Sequence, residues 1–226
     1  MNLSKLGDKN PYQDELATPI HIIGCGSVGS TQAELLARYG FKNFKLYDFD
    51  IVESKNIVNQ MFFSEDINHK KTEALRDLLL RVNPEINETG KITLFSDGYK
   101  KQPLSGFVFL CVDNIDLRRQ ICESNKYNNY IKAVFDYRTL RFDAQHYAAD
   151  WSDKSAVANL IASMQFTHEE AKAETPVSAC GIEIGEAAVV RGIVVDGTTN
   201  FFNFIKNKVV SPFISSAPYN HNILAM

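Results

Sequence analysis

Gly24, Gly26, Gly29, Asp48, Lys71 and Asp113 combine backbone freedom with charge in a way that suits a phosphorylated ligand and a divalent cation. The run Gly24-Cys25-Gly26-Ser27-Val28-Gly29 follows apolar Ile20-His21-Ile22-Ile23 and precedes a segment with helical apolar spacing. The first two glycines permit a tight turn and close backbone approach. The third lets the helix lie against the strand with its N-terminal N–H groups aimed at a phosphate. Asp48 closes the next strand, where a carboxylate accepts hydrogen bonds from a ribose. A structural tight turn of a doubly wound fold is the plainer explanation of the same glycines.

Asp113 follows the apolar run Phe107 to Val112 and so emerges at a strand's carboxyl end. Such an acid suits Mg²⁺, which takes few protein carboxylates and is otherwise held by phosphate and water. It would equally suit the N-cap of a helix beginning near Ile115. Lys71, or its neighbour Lys70, begins a helix, where the macrodipole disfavours a cation and a phosphate would relieve the conflict. A solvated lysine pair is the ordinary alternative. Asn56 and Gln60 are hydrogen-bonding candidates for a triphosphate or ribose, or loop residues closing an Asx turn. Cys180 lies between a polar stretch and a long apolar helix, whose N-terminus would lower a thiol's pKa and favour a nucleophilic thiolate. A small residue before a helix also needs no special role. Cys25 and Cys111 read as core packing and Cys122 as a helix-face residue.

Alternating strands and helices must hold these residues. The pattern predicts strands at 19–24, 43–48, 91–95, 107–112 and 131–136, with helices at 27–39, from about 67 to Arg81, and at 115–126. Asn83-Pro84 ends the second helix, because the residue before proline resists the helical region. Residues 137–150 alternate enough to predict an antiparallel strand beside a parallel sheet. Residues 1–18 read as an arm and 19–226 as one domain, within which 151–180 is a mobile crossover segment. The last helix, at 183–206, is apolar on most faces, and Ala187, Ala188 and Gly192 would allow close packing, including across a dimer. The class is α/β: a doubly wound, Rossmann-like, mostly parallel sheet with antiparallel strands on the C-terminal side, its ligand at the carboxyl ends of the strands.

A chain of 226 residues with 45% hydrophobic composition buries one good core. A net charge of −3 leaves no basic footprint for nucleic acid. No apolar run is long enough for a bilayer and the N-terminus lacks a signal-peptide core, which predicts a cytoplasmic protein with no membrane partner. Four cysteines without a CxxC spacing predict neither a disulfide framework nor a structural zinc.

The loop after Asp48, DFDIVESKNIVNQ, is too long and polar for a plain NAD-binding pattern. Its DxD of Asp48 and Asp50, its Asn56, Lys71 before a helix, the VNP closing that helix, the VDN ending on Asp113-Asn114 with Arg118 behind it, and the ACG at Cys180 resemble the ThiF/MoeB/ubiquitin-activating family across residues 19–206. The resemblance implies an ATP-dependent adenylyltransferase that activates the C-terminal glycine of a ubiquitin-like or sulfur-carrier protein. It would use ATP and Mg²⁺ and work as a homodimer with the site at the subunit interface. Within that family pattern Lys71 offsets charge developing at the α-phosphate, Asp113 holds the metal, and Asp48, Asp50, Asn56, Gln60 and Asn114 surround the nucleotide. Cys180 would take the activated carrier as a thioester or related adduct. The chain departs from the family where Asn59 replaces an arginine, and where the arm carries only Lys5 and Lys9 in place of another. Lysine does not reproduce a bidentate guanidinium. Arg76, Arg118, Arg138 and Arg141 are the candidates to compensate. Two other functions stay open: a nucleotide- or carrier-binding pseudoenzyme subunit without turnover, and an NAD-dependent oxidoreductase, which would explain neither Lys71 nor Asp113-Asn114.

Overall fold

The computed structural model describes residues 3, 5, 10–174, 185–218 and 222–225. The chain runs through β1 (Ile20–Ile23), α1 (Ser27–Arg38), β2 (Asn43–Tyr47), α2 (Lys71–Val82), the short α3 (Glu85–Thr89), β3 (Lys91–Phe95), β4 (Gly106–Leu110) and α4 (Ile115–Asn125). It continues through β5 (Ile131–Thr139), β6 (Ala144–Asp150), α5 (Lys154–Ala162), α6 (His168–Glu174), α7 (Ala187–Asn207), β7 (Phe213–Ala217) and β8 (Asn222–Ala225). The strands form one sheet in the order β3-β2-β1-β4-β5-β6-β7-β8. Contacts from β3 to β5 are parallel, and β6, β7 and β8 add antiparallel. β1 lies between β2 and β4, so the chain leaves it in one direction and later returns on its other side. That reversal opens a crevice at the carboxyl ends of β1 and β4.

Residues of β1 and β4 are buried throughout, as parallel strands covered on both faces must be. Ile20, Ile22, Phe44, Leu46, Phe107, Phe109 and Phe135 face α1, α2 and α7 on one side. Ile23, Tyr47, Val108, Leu110 and Val134 face α4 and α5 on the other. Phe201 of α7 anchors the first layer, its ring centroid 4.9 to 5.5 Å from those of Phe41, Phe107, Phe109 and Phe135.

Three local expectations are corrected. The strand predicted at 131–136 runs on to Thr139, and Leu140 N–H to Asp143 O at 2.8 Å closes a hairpin before β6, so 137–150 is not one strand. The first part of the expected mobile crossover is ordered: Trp151 is buried with its indole N–H on Asn125 O at 2.9 Å, α5 buries Val157 and Leu160, and α6 follows. The small residue that α7 needs is Gly197, where a Cβ would lie 2.3 Å from the Tyr137 hydroxyl; Gly192 has only ordinary contact. Beyond Val210 the described residues include β7 and β8.

Candidate functional site

The turn from β1 into α1 sits at the crevice. Gly24 has φ +95°, and a Cβ there would come within 2.7 Å of the Cys111 backbone at the end of β4. At Gly29 a Cβ would lie 1.8 Å from Gly24 O, so helix and turn pack too closely for any side chain. Gly26 differs: the nearest atom to its would-be Cβ is Gln60 Nε2, 4.0 Å away. No packing within the chain demands glycine there, whereas a ligand approaching the backbone would. α1 begins after Gly26 with no side-chain cap and no acidic residue in its first turn, leaving its N–H groups directed at the crevice.

At the tip of β2, Asp48 accepts Cys25 N–H at 2.7 Å and Asp50 N–H at 2.9 Å, so its two carboxylate oxygens brace the glycine turn and its own loop. Lys71 is buried at the start of α2 with its ammonium 2.8 Å from the half-exposed Asp50 carboxylate. The macrodipole conflict expected at Lys71 is therefore already offset by Asp50. Lys70 turns instead to Phe49 O at 3.2 Å. Asn56 is buried and its Oδ1 accepts Glu53 N–H at 2.8 Å, which closes the local turn. Beside Gly26, Gln60 carries a buried Oε1 with no partner among the described residues. Asn59 donates from its amide to Gly185 O at 3.2 Å.

The tip of β4 is arranged otherwise. Asp113 is exposed and its carboxylate has no partner among the described residues. The helix cap considered for it belongs to Asn114, whose Oδ1 accepts Leu117 N–H at 2.9 Å. Asn114 is thus held by α4. Arg118 is buried and donates to Val112 O, Tyr137 O and Asp136 Oδ1. Asp136 is fully buried and its other oxygen takes Arg138 Nε at 2.8 Å. Arg118 and Arg138 are consequently not free to clamp a phosphate, Arg76 pairs with Asp77 at 2.7 Å, and Arg141 faces Glu186 at 3.8 Å. Sequence reasoning passed over Asp136. Its signal was a single acid inside the apolar strand Ala-Val-Phe-Asp-Tyr, a placement that requires cationic partners.

Cys180 lies outside the described residues. Burial pushes the thiols of Cys25, Cys111 and Cys122 up, that of Cys111 to about 12. Among the described residues no three His, Cys, Asp or Glu side chains gather as a metal cluster, so a cation beside Asp113 would take its remaining ligands from phosphate and water. No helix among them is long and apolar enough to cross a membrane.

A model of the ThiF family matches residues 1–205. The chain is similar to ubiquitin-like modifier-activating enzyme 5 of Caenorhabditis elegans, 31% identical over 135 residues, covering 54% of this chain and 32% of that protein. It is similar to molybdopterin-synthase adenylyltransferase of Escherichia coli, 33% identical over 103 residues, covering 44% of this chain and 41% of that protein. The chain thus covers well under half the length of these curated relatives. A crystal structure of E. coli MccB with ATP superimposes with a TM-score of 0.74 at 17% identity, over 96% of this chain and 65% of that one, and shares the fold.

Proposed function

The chain belongs to the ThiF family, and from that premise we propose that it is an ATP-dependent adenylyltransferase acting on the C-terminal glycine of a ubiquitin-like or sulfur-carrier protein. The supporting observation is the pairing of an open phosphate cradle, formed by Gly26 and the uncapped start of α1, with the unpartnered Asp113 on the neighbouring strand end. The orphaned Gln60 Oε1 and the buried Lys71 ammonium border the same crevice and suit a ribose or triphosphate. These residues fit a nucleotide with Mg²⁺, which when bound supplies positive charge to the triphosphate.

In this scheme the α1 N–H groups and the Gly26 backbone orient the phosphates. Asp48 holds the turn rigid and presents a carboxylate edge to the ribose. Lys71 rests on Asp50 in the free protein and shifts part of its hydrogen bonding to negative charge developing at the α-phosphate as the carrier's carboxylate attacks and pyrophosphate leaves. Asp113 would hold the metal. The Cys180 thiolate would then attack the carrier's acyl adenylate, forming a thioester as the acyl–phosphate bond breaks and AMP leaves. The protein would act in the cytoplasm as a homodimer.

ATP–pyrophosphate exchange tests this reading. With a small carrier ending in Gly-Gly, exchange should appear only when carrier and Mg²⁺ are both present. A second reading, nucleotide binding without turnover, is favoured by the commitment of Arg118 and Arg138 to Asp136, which leaves both without a role in clamping phosphate. ATP binding with no exchange for any carrier tried would decide for it.

A further inference from the structure

We propose that Arg118 is the positioning residue for Asp113, a role that rests on the nucleotide–metal reading above. Among the described residues nothing hydrogen-bonds the Asp113 carboxylate to fix it. What holds it lies on either side. Asn114 is pinned as the cap of α4, and Val112 gives its carbonyl to the Arg118 guanidinium. The same guanidinium donates to Tyr137 O and Asp136 Oδ1, so a single planar fork ties the end of β4 to the end of β5. Asp136 is locked in turn by Arg138, which also donates to Ser163 O at 2.9 Å and Ser163 Oγ at 2.8 Å at the end of α5 and stacks 4.0 Å over the Tyr147 ring. Burying the Arg118 guanidinium against a fully buried carboxylate, with a second, partly exposed guanidinium on its other oxygen, is a costly way to hold a loop that apolar packing could hold as well. The arrangement becomes intelligible when the loop's orientation matters, because the peptide linking Val112 to Asp113 sets the direction in which the free carboxylate points. A group that orients a metal ligand from behind typically tunes metal affinity by about 10- to 100-fold.

The test measures Mn²⁺ affinity by electron paramagnetic resonance on the ATP-loaded protein, and ATP affinity in EDTA. Arg118→Lys keeps a cation beside Asp136 but cannot span both carbonyls, and it guards against the unfolding that Arg118→Gln risks. Arg118→Lys should weaken Mn²⁺ about tenfold, leave metal-free ATP binding within about twofold, and cause no further loss when placed on Asp113→Asn. Arg138→Lys, which touches Asp136 but not Val112, should leave Mn²⁺ affinity unchanged. Wild-type Mn²⁺ affinity in Arg118→Lys, losses that add with Asp113→Asn, or a parallel fall in metal-free ATP binding would each overturn the role. If Asp113→Asn alone leaves Mn²⁺ affinity intact, the metal reading itself fails and the positioning role falls with it.

Discussion

Two aspartates stand at the carboxyl ends of strands on either side of β1, and the fold treats them in opposite ways. Asp48 beyond β2 has both oxygens engaged by backbone N–H groups, whereas Asp113 beyond β4 is exposed with no partner among the described residues. One carboxylate is used to build the crevice. The other is left for whatever enters it. The same division separates the glycines: Gly24 and Gly29 are demanded by contacts within the chain, whereas a Cβ at Gly26 would meet nothing nearer among the described residues than Gln60 Nε2 at 4.0 Å.

The largest effect should come from violating the built side. Gly29→Ala forces a methyl onto Gly24 O and should cost about 3 kcal/mol in a urea melt. Gly26→Ala should melt like the wild type and lose ATP affinity instead. Equal stability losses in the two variants would erase the distinction. Next, Asp48→Ala removes two charge-assisted bonds and should cost about 2 kcal/mol, while Asp113→Asn should stay within about 0.5 kcal/mol and lose only Mg²⁺-dependent binding. A destabilised Asp113→Asn would mean that its carboxylate has a structural partner after all.

Acid should act through the buried histidines. Burial lowers the pKa of His21 to about 3 and of His146 to about 4, below the ordinary value of 6.5. Because the neutral rings are favoured in the folded chain, their contribution is complete above about pH 6.5 and is lost as pH falls toward 4. Each histidine contributes a slope of at most about 1.4 kcal/mol per pH unit. Urea midpoints across that window should fall, and His146→Gln should flatten the slope. A pH-independent midpoint from 7 to 4.5 would contradict the assignment. The smallest effect on the fold is chemical labelling. Cys25, Cys111 and Cys122 have raised thiol pKa values and should react slowly with iodoacetamide at neutral pH, leaving Cys180 to label first. Mass spectrometry after a short pulse ranks all four, and labelling of Cys122 ahead of Cys180 would remove the case for a thiolate there.

The glycine turn, the mostly parallel sheet implied by alternating units and the acid after β2 were legible because each is a local pattern: glycine spacing, apolar runs, a charge at a strand end. The antiparallel addition was legible as a tendency, but its hairpin at 140–143 was not, since RFD holds neither Gly nor Pro and its lone Asp143 fits the alternation of a strand as well as a turn. What escaped was partnership. Lys71 looked like a cation awaiting a phosphate, yet Asp50, far off in sequence, reaches it through the antiparallel bridge of Ile51 with Lys70. Asp113 was the residue considered for the cap, and the backbone geometry at α4 gives that place to Asn114. Arg118 and Arg138 resembled spare phosphate clamps until Asp136 of β5, two residues before Arg138 and 18 beyond Arg118, claimed both. Gly197 rather than Gly192 proved essential because the deciding contact is a tyrosine sixty residues upstream.

Calorimetric titration of the purified chain with ATP and with NAD, each with and without Mg²⁺, tests most directly that the crevice is a triphosphate and metal site. ATP should bind more tightly than NAD, with an Mg²⁺-dependent gain that disappears in Asp113→Asn. Tighter binding of NAD, or ATP binding indifferent to Mg²⁺ in the wild type, would contradict it.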